Sequence, residues 1–168
     1  MNVSPMQIII GFKDTLAIQE IQSIIDKYTF IKTFNQFHEF YKSLVIADLK
    51  EGISCEEFQN DLNTLKNDTN ILFANPSVFG NDGSFCGVLD EFIVCLKDST
   101  QLSELELQNI ALQTNTTIVR KENFLPLFYL LSATKFSKGD AFEMSDYFYE
   151  TGKFASAEPN LLIENGFN

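Results

Sequence analysis

The chain's single histidine, His38, and its three cysteines, Cys55, Cys86 and Cys95, are the residues that could serve as base, nucleophile or soft metal ligand. A nucleophilic site needs a base, most often histidine, within reach of a serine or cysteine. His38 lies in Phe37-His38-Glu39-Phe40, between two aromatic runs, and reads as an ordinary turn residue. A structural zinc site takes four Cys or His ligands. No two cysteines stand at the C-x-x-C spacing, so neither a metal site nor a cofactor is expected. G-x-S-x-G, G-x-x-x-x-G-K-[ST] and G-x-G-x-x-G before a helix are all missing. Carboxylates gather at Glu56-Glu57 and at Glu104 and Glu106, on the expected solvent faces of helices. The cysteines read as small buried hydrophobes. The expectation is a protein that is not an enzyme.

Charge narrows the partners. Twelve basic residues against 23 acidic ones give a net charge of −11. Nucleic-acid binding needs a basic patch to displace counterions from phosphates. The longest basic cluster is Arg120-Lys121, with Glu122 beside it, so no nucleic-acid partner is expected. No stretch approaches the ~20 apolar residues of a membrane span. The start, Met1-Asn2-Val3-Ser4-Pro5-Met6, has no basic n-region, and Ile8-Ile9-Ile10 is too short for a signal core. As written the chain is expected in the cytoplasm, or in the periplasm or outside the cell if a signal was removed. With 45% hydrophobic residues, 17 of them Phe, it can bury a sizeable core.

The elements that would carry any site come in two similar sets. Ile9-Ile10-Gly11-Phe12-Lys13-Asp14 aligns with Ile93-Val94-Cys95-Leu96-Lys97-Asp98, and Ala74-Asn75-Pro76 aligns with Ala157-Glu158-Pro159 at nearly the same offset. Two anchors at one offset, near half the chain, point to a duplication. In the first half, strands are expected over 7–13, 29–37, 40–49 and 71–74, with Pro76 allowed only at an edge or end. A helix over 15–28 carries Ile18, Ile21, Ile24, Ile25 and Tyr28. The box Ser54-Cys55-Glu56-Glu57 opens a second helix, with Phe58, Leu62 and Leu65. In the second half, strands are expected over 92–97, 116–124, 127–134 and 155–162. A helix over 99–114 is capped by Ser99 and carries Leu102, Leu105, Ile110 and Leu112. Another opens on the box Asp140 to Glu143, carries Phe142, Tyr147 and Phe148, and ends at Gly152.

The fold class expected is α+β: tandem ferredoxin-like β-α-β-β-α-β sandwiches with antiparallel sheets. The first repeat spans 1–78. A connecting β-hairpin spans 79–90, with Asp82-Gly83 as its turn. The second repeat and its tail span 91–168. In the second sheet, Phe92, Val94 and Leu96 point to one face and Ile93 and Cys95 to the other; Tyr129 and Leu131 oppose Phe128 and Leu130. Both faces are thus partly apolar. The second is either packed on the first repeat or open to a partner.

The second half also resembles a known family. Phe92-Ile93-Val94-Cys95-Leu96-Lys97, the run Phe124-Leu125-Pro126-Leu127-Phe128-Tyr129-Leu130-Leu131-Ser132, the helix over 141–152 and Ala157-Glu158-Pro159-Asn160-Leu161-Leu162 together look like the N-terminal propeptide of bacterial subtilisin-like serine proteases. The likeness runs from about Phe73 to Leu162, and Ala-Glu-Pro before apolar residues is its most specific part. It implies a ferredoxin-like chaperone and inhibitor of its protease. The open sheet face, here Phe128 and Leu130, would pack on two enzyme helices whose N-termini favour acidic groups. The tail, here Glu164, Asn165, Gly166, Phe167 and Asn168, would lie in the active-site cleft. The chain departs from the family in carrying no protease domain or its Asp, His and Ser motifs. The other reading is a tandem ferredoxin-like regulatory or ligand- or protein-binding module.

Overall fold

Ile8, Ile9 and Ile10 are all fully buried, and the first half of the fold is built around them. A computed structural model describes residues 2–36, 43–79 and 85–164. They form an α+β chain of antiparallel strands and four helices. The order is β1 (Asn2–Phe12), α1 (Ile18–Ile25), β2 (Ile31–Gln36), β3 (Leu44–Leu49), α2 (Cys55–Lys66) and β4 (Ile71–Phe79). Then come β5 (Phe85–Leu96), α3 (Gln101–Thr114), β6 (Thr117–Lys121), β7 (Phe128–Ser132), α4 (Ala141–Glu150) and β8 (Phe154–Glu164). The β-α-β-β-α-β succession therefore occurs twice. Two compact units result: Met1–Val88 together with the stretch from Leu162, and Leu89–Leu161. His38 and the turn Asp82-Gly83 lie outside the described residues.

The first unit orders its strands β2-β3-β1-β4. Ile9 faces Ile46 on β3 and Asn75 on β4, in antiparallel ladders. Side chains alternate faces along a strand, so Ile8, Ile10 and Phe12 meet Val45, Ala47 and Leu49 under the helices. There Ile21, Ile24 and Ile25 of α1 and Phe58, Leu62 and Leu65 of α2 complete the core. The other face is dry as well: Ile9, Leu44, Ile46 and Phe73 are buried. The start of β5 pairs with β4, Phe85 facing Phe79, and brings Gly87 onto Ile9. A Cβ at Gly87 would lie 1.6 Å from Ile9 Cδ1, so only glycine fits. A strand covered on both sides reads as an unbroken apolar run, which is what Ile8-Ile9-Ile10 is.

Two features of this unit depart from the sequence expectation. β4 runs on past Ala74 to Phe79, and Pro76 stands inside it facing Ile8. Proline is tolerated because the β1 register shifts between Ser4 and Ile8, and because the ladder to β5 begins only at Ser77. The polar groups along β4 are satisfied. Asn75 Nδ2 donates to the Val88 carbonyl at 3.2 Å and Ser77 Oγ to the Gln7 carbonyl at 3.0 Å. Helix α1 is shorter than expected, and Ile18, its first residue, is exposed. Tyr28, beyond its end, donates its hydroxyl to Asp68 at 2.8 Å.

The second unit orders its strands β6-β7-β5, with β8 also paired to β5. Phe92 faces Leu131, Ile93 faces Leu130 and Val94 faces Tyr129. Phe92 and Leu131 point to the helices, where Phe148 of α4 meets Phe92 edge-on at 5.1 Å and stacks on Phe154 of β8 at 5.6 Å. Both expected capping boxes form. The Glu57 backbone N–H donates to Ser54 Oγ and the Glu143 N–H to Asp140 Oδ1, each glutamate reaching back to the cap N–H. The cap of α3 is Thr100, not Ser99: Ser103 N–H donates to Thr100 Oγ1, and Asp98 accepts from both hydroxyls. Gly152, at φ +67, follows the end of α4 as expected.

The orientation of α3 is the main correction. Leu102, Leu105 and Leu112 point outward, at 69%, 46% and 77% exposed. Leu107, Ile110, Ala111 and Thr114 face the core. The helix carries two apolar faces: of the expected residues Ile110 lies on the inner one, and the three leucines lie on the outer one. Tyr147 on α4 is likewise exposed, the inward residues being Ala141, Met144, Ser145 and Phe148.

Candidate functional site

The outer face of the β5–β7 ladder is where the sequence placed a partner. The register sets Leu130 opposite Ile93 and Phe128 opposite Cys95. Ile93 is 36% exposed and Phe128 half-buried, but Leu130 is only 3% exposed. Leu130 therefore serves packing, and its side chain is not offered to a partner; strand alternation says which face a residue takes, not whether that face is covered. Ser132 Oγ, at the end of this face, donates to Asp90 at 3.0 Å.

The Ala157-Glu158-Pro159-Asn160 segment lies within β8, beside β5. Asn160 Nδ2 donates to Glu91 Oε2 at 3.2 Å, fastening this stretch to β5. Of the tail residues, Glu164 ends β8. Asn165, Gly166, Phe167 and Asn168 lie outside the described residues. At the other end of β7 the chain turns through Phe124-Leu125-Pro126, closed by the Phe128 N–H donating to the Leu125 carbonyl at 2.8 Å. Phe124 is 97% exposed there. Exposure of this kind has no sequence signal, because a phenylalanine two residues before a proline reads equally well as core.

The chemistry-bearing residues are dispersed. Cys55 is exposed at the start of α2, while Cys86 and Cys95 are buried. Burial pushes the Cys95 thiol up, away from thiolate. Among the described residues no three His, Cys, Asp or Glu side chains gather as a metal site would require. No helix among them is long and apolar enough to cross a membrane. Glu57 is engaged by the Ser54 backbone and hydroxyl, which hold its carboxyl below the usual range. Glu104 is not a freely solvated carboxylate. Lys121 Nζ donates to it at 2.7 Å and Tyr129 Oη at 2.6 Å, and both lower its pKa, Lys121 first. The same carboxylate raises Lys121, and burial followed by that hydrogen bond raises Tyr129. This helix-to-sheet triad was invisible in sequence because its members are 17 and 25 residues from Glu104.

No protein-family model matches the chain, and no curated protein matches it.

Proposed function

We propose that the chain is a tandem of ferredoxin-like units whose second unit is a non-enzymatic, propeptide-like inhibitor or folding assistant of a subtilisin-like serine protease. The observation that carries the reading is the state of its last strand. The Ala157-Glu158-Pro159-Asn160 segment is fixed against β5 by the Asn160–Glu91 bond, and the strand runs on from it to Glu164. A tail needs such an anchor to be delivered into a cleft with little entropy loss. The β6-β7-β5 order with β8 beside β5 agrees with a ferredoxin-like unit, and partly exposed Ile93 and Phe128 supply apolar contact area on the sheet. Leu130 is not part of that contact. The acidic balance suits contact with the N-termini of enzyme helices. A protease partner of this class would place the pair in the periplasm or outside the cell.

The test is residual hydrolysis by a panel of subtilisin-like proteases after mixing with the full chain and with a chain ending at Leu162. Inhibition at micromolar protein that weakens on removing residues 163–168 is the expected result. No inhibition by either chain overturns the proposal, and steady digestion would make the protein a substrate only.

The burial of Leu130 favours a second reading, a regulatory or ligand-binding module, because it leaves less free apolar sheet for a protease. A ligand-dependent rise in melting temperature without protease inhibition would select it.

A further inference from the structure

The outward face of α3 carries three leucines and an asparagine at alternating spacings of three and four: Leu102, Leu105, Asn109 and Leu112. All four are exposed. This is the spacing of an a/d seam over two heptads, with one asparagine at an a position. Of the residues flanking it, Gln101, Gln108 and Gln113 are exposed and uncharged, and Glu106 carries the one charge. The helix's two carboxylates are already neutralised within the chain, Glu104 by Lys121 at 2.7 Å and Glu106 by Lys153 at 3.3 Å. The other three helices all turn carboxylates outward: Glu20 on α1, Glu56 on α2, Asp146 and Glu150 on α4.

We propose that this face is a self-association surface, and that its occupant is α3 of a second copy in parallel alignment. Charge selects the occupant. A basic partner would find better purchase on the acidic helices, whereas two chains of −11 repel wherever carboxylates meet and approach best through a neutral stripe. Register selects the alignment. In a parallel pair the layers are leucine on leucine three times and Asn109 on Asn109, so the amides satisfy each other. An antiparallel pair sets each Asn109 against Leu105. A buried asparagine pair at an a position fixes register at some cost in strength. The helix is 14 residues long, about 21 Å at 1.5 Å per residue. The contact is smaller than a standard ~1,600 Å² interface, so the dimer is weak and concentration-dependent.

Sedimentation equilibrium of the full chain tests this. The apparent mass is expected to climb from 19.1 kDa towards twice that value as concentration rises, over a range of roughly 10 µM to 1 mM. Added salt should strengthen the association by screening the acidic surfaces, the opposite of its effect on a charge-driven pair. The double variant Leu102→Glu/Leu112→Glu alters only exposed side chains, so its melting temperature should match the parent while its mass stays at 19.1 kDa throughout. Asn109→Leu should tighten the dimer by about tenfold or more and loosen its alignment preference. A parent chain that stays monomeric over the whole range overturns the proposal. So does a double variant that associates like the parent, or an Asn109→Leu chain with unchanged association.

Discussion

The two units place their apolar residues differently. Among the described residues, the large apolar side chains left exposed in the first unit are Ile18 and Leu72, while the second exposes ten, from Ile93 to Tyr149. The first unit closes over both faces of β1, with Gly87 laid against Ile9. The second closes one face around Phe92 and Phe148 and leaves apolar groups on a helix, a turn and part of its sheet. Among the described residues, a duplicated element order thus accompanies two different distributions of exposed apolar side chains. Solvent exposure of single apolar residues is ordinary, but a concentration in one half is not.

That contrast breaks first at the aromatic cluster of the second unit. Phe148 is fully buried between Phe92 and Phe154, and Phe148→Ala should cost ~3–5 kcal/mol in urea unfolding. Phe124→Ala, at an exposed turn, should stay within about 0.5 kcal/mol. Equal losses would mean that the exposed set is structural and the contrast false. In the first unit Gly87→Ala should cost ~1–3 kcal/mol by overpacking. Combining it with Ile9→Ala should recover part of that loss, because the clash is with the Ile9 Cδ1 atom. If the double variant only adds the two losses, the close approach is not what requires glycine.

The order of elements could be read from sequence because each is announced locally. Ser54 and Glu57, Asp140 and Glu143, and Gly152 are cap residues whose partners lie within three positions or whose backbone demands glycine. The paired faces of β5 and β7 followed from strand alternation alone. What failed required knowing the other side of the contact. Leu102, Leu105 and Leu112 have good helical spacing, yet of the expected set only Ile110 lies in the core, beside Leu107 and Ala111, and nothing local distinguishes the two faces. Pro76 was confined to a strand end because a register shift on the neighbouring β1 cannot be seen from β4. At the candidate site, Phe128 and Leu130 share a face in sequence, yet burial separates them.

A smaller effect separates the helix starts. α2 and α4 have side-chain acceptors at their N-caps, whereas α1 has Ala17, in the extended conformation, with Glu20 reaching back to its N–H at 2.7 Å. Half of a capping box is therefore in place. Ala17→Ser should complete it and stabilise the first unit by ~0.5–1 kcal/mol, read as a raised urea midpoint at unchanged slope. Ser54→Ala should lose a comparable ~0.5–2 kcal/mol. No gain from Ala17→Ser would mean that the α1 end frays regardless of its cap.

The smallest expected difference is in acid. Both units pin a tyrosine hydroxyl to a carboxylate, Tyr28 to Asp68 in the first and Tyr129 to Glu104 in the second, but Lys121 also binds Glu104. Lys121, with Tyr129, holds the Glu104 carboxyl below its ordinary value. A carboxylate depressed in the folded state stabilises above its unfolded pKa, ordinarily about 4.3, and that contribution fades as pH falls through the lower folded value. Glu104 is partly exposed, so solvent screens the pair and the effect is a modest steepening of acid unfolding. Lys121→Met removes the larger cause, so its stability should fall below the parent's at pH 7 and converge with it as pH falls through the parent's lowered folded value. Asp98, lowered by Ser103 and Thr100 rather than by a lysine, should keep its share of the acid slope in that variant. Parallel pH profiles for the parent and Lys121→Met would show that the ion pair contributes nothing and that the Tyr129 hydrogen bond alone lowers the Glu104 carboxyl.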